Sequence, residues 1–183
     1  GQFDQYPVYF TYNSSIAANQ KVAMMLQAAA STLGVTIEVT EAPWVTITDK
    51  AASVESTMNV TAIQVSPSYW EVGSVLESRF TTATQGTWQN TEWLGDTKID
   101  DMVAEAFTLV DDATRYDKYH EIINYISELY SCAPLCENST SSAYKADRLY
   151  WPVAEYMEET GEVQSLPMGY MFRFYEWRIR DKM

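Results

Sequence analysis

Four tryptophans, Trp44, Trp70, Trp88 and Trp93, fall in loops or at element ends rather than on periodic apolar faces. A tryptophan is large, rigid and able to donate one hydrogen bond, which suits it to paving a small-ligand cleft. The competing reading for each is a residue that caps the core; as a group, at least one is expected to face a cleft. Groups for bond-breaking chemistry are scarcer. His120 is the only histidine, and the pattern around it places it on a helix surface with no nucleophile at hand. No G-x-S-x-G, G-x-G-x-x-G, phosphate-loop or H-E-x-x-H motif occurs. The pairs Asp100-Asp101, Asp111-Asp112 and Glu158-Glu159 are adjacent in sequence. Helix neighbours diverge by about 100°, so these pairs serve capping and solvation rather than acid–base work. Cys132 and Cys136 flank Pro134. In an extended segment their Cα atoms lie about 13 Å apart, too far for a disulfide, whereas a tight loop could join them. Buried free thiols and a strained local disulfide both remain open. With no histidine or further cysteine near, no metal site is expected. Nor is a cofactor or an enzymatic activity.

The elements that must position these groups follow from hydrophobic periodicity. Val8 to Tyr12 is a β-branched and aromatic strand, and Asn13-Ser14-Ser15 supplies turn chemistry. Ile16 to Leu33 has a helical pattern with Val22, Met25, Leu26, Ala29 and Leu33 on one side, ended by Gly34. Val35 to Thr40 alternates as a second strand, so the opening is a βαβ unit with parallel strands and a right-handed crossover. Val45 to Ser56 predicts a short helix, Met58 to Val65 a third strand ended by Ser66-Pro67-Ser68, and Val72 to Phe80 another helix. Thr81 to Asn90 reads as a loop. Two helices follow. Met102, Val103, Ala106, Phe107 and Val110 recur at helical spacing; after Asp111-Asp112 so do Tyr116, Tyr119, Ile122, Ile123, Ile126 and Leu129. Asp96 or Thr97 can cap the first and Asp111 or Asp112 the second. Short extended pieces at Leu135 to Glu137 and Ser142 to Lys145 predict a hairpin, and Arg148 to Val153 an irregular segment or edge strand. Glu155 to Gly161 predicts one or two helical turns. Phe172 to Arg180 alternates as a last strand whose arginines deter edge pairing.

At 183 residues, with 46% hydrophobic residues, six Trp, thirteen Tyr and six Phe, the chain is long enough for one domain with a sizeable core. The formal charge of −13 and only twelve Lys and Arg exclude nucleic acid as a partner. A solvated, self-repelling surface and attraction of a cationic ligand both fit that charge. No window of eighteen apolar residues is present to span a membrane, and the N-terminal residues lack the basic and apolar regions of a signal peptide.

The stretch from Asn90 to Leu135 carries the most specific pattern: Asn90, Asp100, Ala106, Asp112, Arg115, Tyr119, Ile122 and Pro134-Leu135. It resembles the C-terminal lobe of family 5 extracellular solute-binding proteins, the peptide-, dipeptide- and nickel-binding subunits of bacterial ABC importers. The run Leu33-Gly34-Val35-Thr36-Ile37-Glu38-Val39 after a helix resembles the opening of that lobe. The resemblance implies an α/β fold: an open mixed sheet with βαβ units and flanking helices, one lobe of a two-lobed protein. Residues 1–183 would be that single lobe, with 154–183 as a C-terminal tail and last strand, a fragment of a longer chain. It also implies an extracytoplasmic location, periplasmic or as a cell-surface lipoprotein. The implied partners are a small solute shared with an N-terminal lobe, and membrane permease subunits. By position, the ligand-facing residues would be Asn13 and Ser14 after the first strand, Gln64, Ser66, Ser68, Tyr69 and Trp70 after the third, and Trp88 to Asn90, joined by Trp44. Peptide-binding members hold an aspartate in the loop after the third strand; Gln64 to Trp70 contains no acid. Neutral hydrogen bonding and aromatic contact then favour a sugar, a modified peptide or another organic solute. A different class of function also fits: a free-standing interaction domain that pairs through the aromatic Phe172 to Trp177 strand.

Overall fold

The computed structural model describes residues 6–69, 71–136, 143–162 and 174–180. The chain divides into two compact units, Gly1–Cys132 and Ala133–Met183.

In the first unit, β1 (Val8–Asn13), β2 (Ile37–Ala42) and β3 (Val60–Ala62) form a parallel sheet in the order β2-β1-β3. Val8 pairs with Ile37 and Asn13 with Ala42; on the other side Phe10 pairs with Val60 and Tyr12 with Ala62. The central strand is buried on both faces from Phe10 to Asn13, as a parallel strand with covered faces must be. The expected βαβ opening is present. The third strand is shorter than the Met58 to Val65 pattern predicted, because it pairs with β1 alone and over three residues only.

The first helix, α1 (Ala17–Ser31), ends as Gly34 turns the chain at φ +73°. Its buried face differs from the expected one. Ala23 is fully buried against Phe10, Tyr12 and Ile37, with Val22 and Ala30 beside it, and Asn19 is buried one turn earlier. Met25 and Leu33 are 73% and 81% exposed. The cause lies in the sequence AANQKVAMMLQAAAS, which has apolar residues all round. Where a helix must lie close to a sheet, small side chains and a paired amide win the inner face over long ones.

The short α2 (Trp44–Ala51) follows Pro43 and packs Ile47 against Ala42 and Met58. The remaining helices, α3 (Val72–Phe80), α4 (Thr97–Thr108) and α5 (Asp112–Glu128), build a second core from Leu76, Phe80, Ile99, Met102, Val103, Ala106, Tyr119, Ile122 and Ile126. Both expected acidic caps form: Asp96 accepts from the Lys98 N–H at 2.9 Å and Asp111 from the Thr114 N–H at 2.9 Å. Of the residues expected on the inner stripes, Val110 is almost wholly exposed and Phe107, Tyr116, Ile123 and Leu129 are partly so. His120 is exposed on α5, as expected.

The Arg115-x-x-x-Tyr119 pattern has a packing role. Arg115 pairs with Asp112 at 2.6 Å and Glu71 at 3.4 Å, and donates to the Leu109 carbonyl at 3.1 Å, locking the α4–α5 turn to the start of α3. Tyr119 packs where α3 carries Gly73; a Cβ there would meet the Phe107 ring and lie 2.6 Å from the Tyr119 hydroxyl. Burial, with Glu71 beside it, pushes the Tyr119 hydroxyl up to about 12.

In the second unit, β4 (Leu149–Tyr150) and β5 (Arg178–Ile179) pair antiparallel, and α6 (Pro152–Thr160) lies between them in sequence. Pro152 opens that helix and Gly161 closes it at φ +72°. Trp151 is buried between Tyr144, at 5.4 Å, and Trp177, at 5.5 Å. Arg180 pairs with Glu155. The expected last strand is corrected here: Phe174–Glu176 is a 3-10 turn and only Arg178–Ile179 pairs. Phe172 and Arg173 lie outside the described residues, as do Glu137 and Ser142 of the expected hairpin; Leu135, Cys136 and residues 143–145 adopt no regular element. Cys132 and Cys136 are not joined in a disulfide; the first is half-buried and the second exposed. Among the described residues no helix is long and apolar enough to cross a membrane.

Candidate functional site

The carboxyl ends of the parallel strands converge on one end of the first unit, the position where open α/β sheets place ligands. Asn13 is the last residue of β1. Its side-chain oxygen accepts from the Ser15 N–H at 3.0 Å and the Ser15 hydroxyl at 2.8 Å, a turn that hands the chain from strand to helix. The Ser14 N–H is held by the Ala42 carbonyl at the end of β2, 3.0 Å away. In the first turn of α1, the Asn19 amide donates to the Ala62 carbonyl at the end of β3, 3.1 Å away. The β1–α1 turn is thus tied to β2 through Ser14 and to β3 through Asn19.

Two loops complete it. Pro43 ends β2 and delivers Trp44 to the first position of α2. Across from it, Trp88 stands in the segment between α3 and α4, and the two indoles meet edge to face at 5.1 Å and 73°. Gln64, just past β3, closes the remaining side. The cleft is a shallow depression of about 380 Å³, widely open to solvent.

The loop that carries Trp88 is stiffened from within. Asn90 is fully buried, its amide donating to the Thr81 carbonyl at 2.7 Å and the Thr84 hydroxyl at 3.1 Å. Asp100, on α4, accepts from the Thr82 N–H at 2.8 Å and its hydroxyl at 2.6 Å. The Trp93 indole donates to the Thr57 hydroxyl at 2.9 Å, and Gly86, Trp93 and Gly95 all adopt positive φ. Arg79 and Glu92 form an ion pair beneath, 13% and 6% exposed. Burial raises the Glu92 carboxyl above the ordinary carboxylate range, and Arg79 opposes that without cancelling it. Burial likewise raises the Cys132 thiol.

Of the expected ligand-facing residues, Asn13, Trp44, Gln64 and Trp88 line the cleft together. Ser14 is exposed beside it, and Ser66, Ser68 and Tyr69 lie exposed along the segment between β3 and α3, away from the cleft wall. Asn90 sits behind Trp88 as a loop clamp. Trp70 lies outside the described residues. Ser15, Ile16, Asn19, Ala62 and Ile63 complete the wall and were not anticipated. Asn19 was findable: it precedes Ala23 by one helical turn, and two small or amide side chains at that spacing mark a close-packed face. No Asp, Glu, Lys, Arg or His belongs to the cleft wall among the described residues.

No protein-family model matches the chain, and no curated protein matches it. Solved structures do. The ABC transporter-associated periplasmic binding protein DppA from Helicobacter pylori, in complex with peptide STSA, superposes with TM-score 0.60 at 15% identity, over 68% of this chain and 24% of that one. NikA from Brucella suis, in complex with Fe(III)-EDTA, gives 0.54 at 17% identity over 67% and 24%. AppA from Clostridium difficile gives 0.58 at 16% identity over 68% and 25%. The chain spans about a quarter of the length of these structures. At such identities the likeness shows the fold: an α/β unit with a small parallel sheet and flanking helices, matching a lobe of a periplasmic-binding-protein fold.

Proposed function

We propose that this chain is a ligand-binding lobe of the extracytoplasmic solute-binding subunit of an ABC importer, and that it is not an enzyme. The observation that carries this reading is the cleft at the carboxyl ends of β1, β2 and β3, walled by the Trp44–Trp88 pair and by side-chain amides held from behind. The resemblance in Asn90 to Leu135 and the fold likeness to DppA support it independently of the cleft. In this reading residues 1–183 form one lobe of a longer protein. A second lobe closes over the solute, an oligopeptide or another small organic molecule, and the closed form delivers it to membrane permease subunits. The reading places the protein outside the cytoplasm.

The interaction-domain reading has less to support it in the second unit. It rests on an aromatic strand from Phe172 to Trp177; of its described residues, Phe174–Glu176 form a 3-10 turn and the Trp177 ring packs on Trp151.

A half-cleft binds weakly alone, so calorimetric titration of the two-lobed protein that contains this chain, against peptides, oligosaccharides and metal chelates, tests the proposal. At least one class is expected to bind, with the heat lost in Trp88→Ala. Binding that ignores Trp88, or no binding to any class, contradicts it.

A further inference from the structure

We propose that the part of the solute held by this lobe is uncharged and polyhydroxylated, a saccharide ring set against Trp44 and Trp88. The inference rests on the ligand-binding reading above and deepens it to a substrate class.

The wall supplies the argument. Ser15 already engages the Asn13 oxygen and Ala62 the Asn19 amide nitrogen, so the polar atoms left on the wall are the Asn13 amide nitrogen, the Asn19 amide oxygen, the Ser15 oxygen as an acceptor, and both ends of the exposed Gln64 amide. These are donors and acceptors mixed, and a solute hydroxyl is both at once, so they match alcohols better than ions. A peptide ammonium would need a carboxylate to offset its desolvation, and a carboxylate or phosphate would need Lys, Arg or His. Neither kind of side chain lines the cleft among the described residues. The acid nearest along the chain past β3, Glu71, is occupied by Arg115 at 3.4 Å. The start of α1 does present N–H groups with no side-chain cap, at the same end as Ser15 and Ile16. A hydroxyl oxygen satisfies such a donor without bringing a charge, and the chain's net −13 disfavours an anion there. The indoles supply the other half of the match. Trp44 is 38% exposed, and the edge-to-face geometry holds it as a rigid apolar wall for the C–H face of a ring.

Saturation-transfer NMR on the protein reads even weak binding, with maltose, cellobiose, glucuronate and trialanine as probes. The expected result is transfer to the ring protons of a neutral disaccharide, displaced by neither glucuronate nor trialanine. Gln64→Ala and Trp88→Ala should each weaken it about tenfold, with Trp88→Phe retaining part and the exposed-site Val110→Ser retaining all. Gln64 lies on irregular, exposed chain, so its substitution leaves the fold standing. Binding of trialanine or glucuronate with no neutral disaccharide bound overturns the saccharide inference and leaves the ligand-binding reading in place. Saccharide binding indifferent to Gln64 and Trp88 overturns the site. Binding of no probe, and of no solute in the wider calorimetric panel, overturns both.

Discussion

The Asn19 side-chain amide donates to the Ala62 carbonyl at 3.1 Å, tying the first turn of α1 to the carboxyl end of β3. Asn19 is 6% exposed, so its polar group is buried only because that partner exists. Asn19→Ala removes the donor and leaves the carbonyl short of a partner. A loss of about 1–3 kcal/mol is expected from urea unfolding. An unchanged midpoint would show that the bond contributes nothing to the crossover.

Asn90 clamps the loop that presents Trp88. In Asn90→Ala the Thr81 carbonyl and Thr84 hydroxyl lose their donor. Stability is expected to fall by about 1–3 kcal/mol. The near-ultraviolet circular dichroism of the coupled Trp44–Trp88 indoles should weaken with it. Retention of that signal alongside the lost stability would separate the clamp from the position of Trp88.

Gly73 is where α3 approaches Tyr119 and Phe107 too closely for a side chain. Gly73→Ala is expected to cost about 1–3 kcal/mol through overpacking. Part of the loss should return in the double variant with Tyr119→Phe, since the hydroxyl is one of the two obstructions. Thermal melts of the three variants check this, and strict additivity would contradict it.

Two carboxyls drive stability in opposite directions with pH. Burial keeps Glu92 above its ordinary range in the folded protein, so the folded state holds that proton more tightly than the unfolded chain. Its contribution is fullest below the unfolded value and declines as pH rises through the folded one. Asp111 is held below its ordinary range by the Thr114 N–H and hydroxyl. Its contribution is present above the unfolded value and disappears as pH falls through the lowered one. Melting temperatures over roughly pH 3 to 8 should show Glu92→Gln losing the decline on the upper side and Asp111→Asn losing the one on the acid side. Parallel profiles for all three proteins would contradict both assignments.

Much of the scaffold was readable from local rules. The boundaries of α3 were expected residue for residue, and Asp96 and Asp111 cap α4 and α5 because their side chains meet orphan N–H groups that any helix start exposes. The orientation of α1 was not readable. Met25 and Leu33 face outward while Ala23 and a paired Asn19, flanked by Val22 and Ala30, face the sheet, a choice made by tertiary contact and invisible to hydropathy. The cleft was half legible. Asn13 and Gln64 follow strands and Trp44 and Trp88 sit at element ends, positions that chain order alone exposes. Ser15 and Asn19 reach the cleft only through the turn built by the Asn13 oxygen, a local bond that residue types do not announce.

The most direct test of the binding account is the indole N–H spectrum of the protein during solute titration. Trp44 and Trp88 resonances are predicted to shift together with at least one small solute, while those of Trp151 and Trp177 in the second unit stay fixed. If no solute moves the Trp44 and Trp88 signals, or if the shifts fall on Trp151 and Trp177 instead, the cleft at the strand ends is not the binding site.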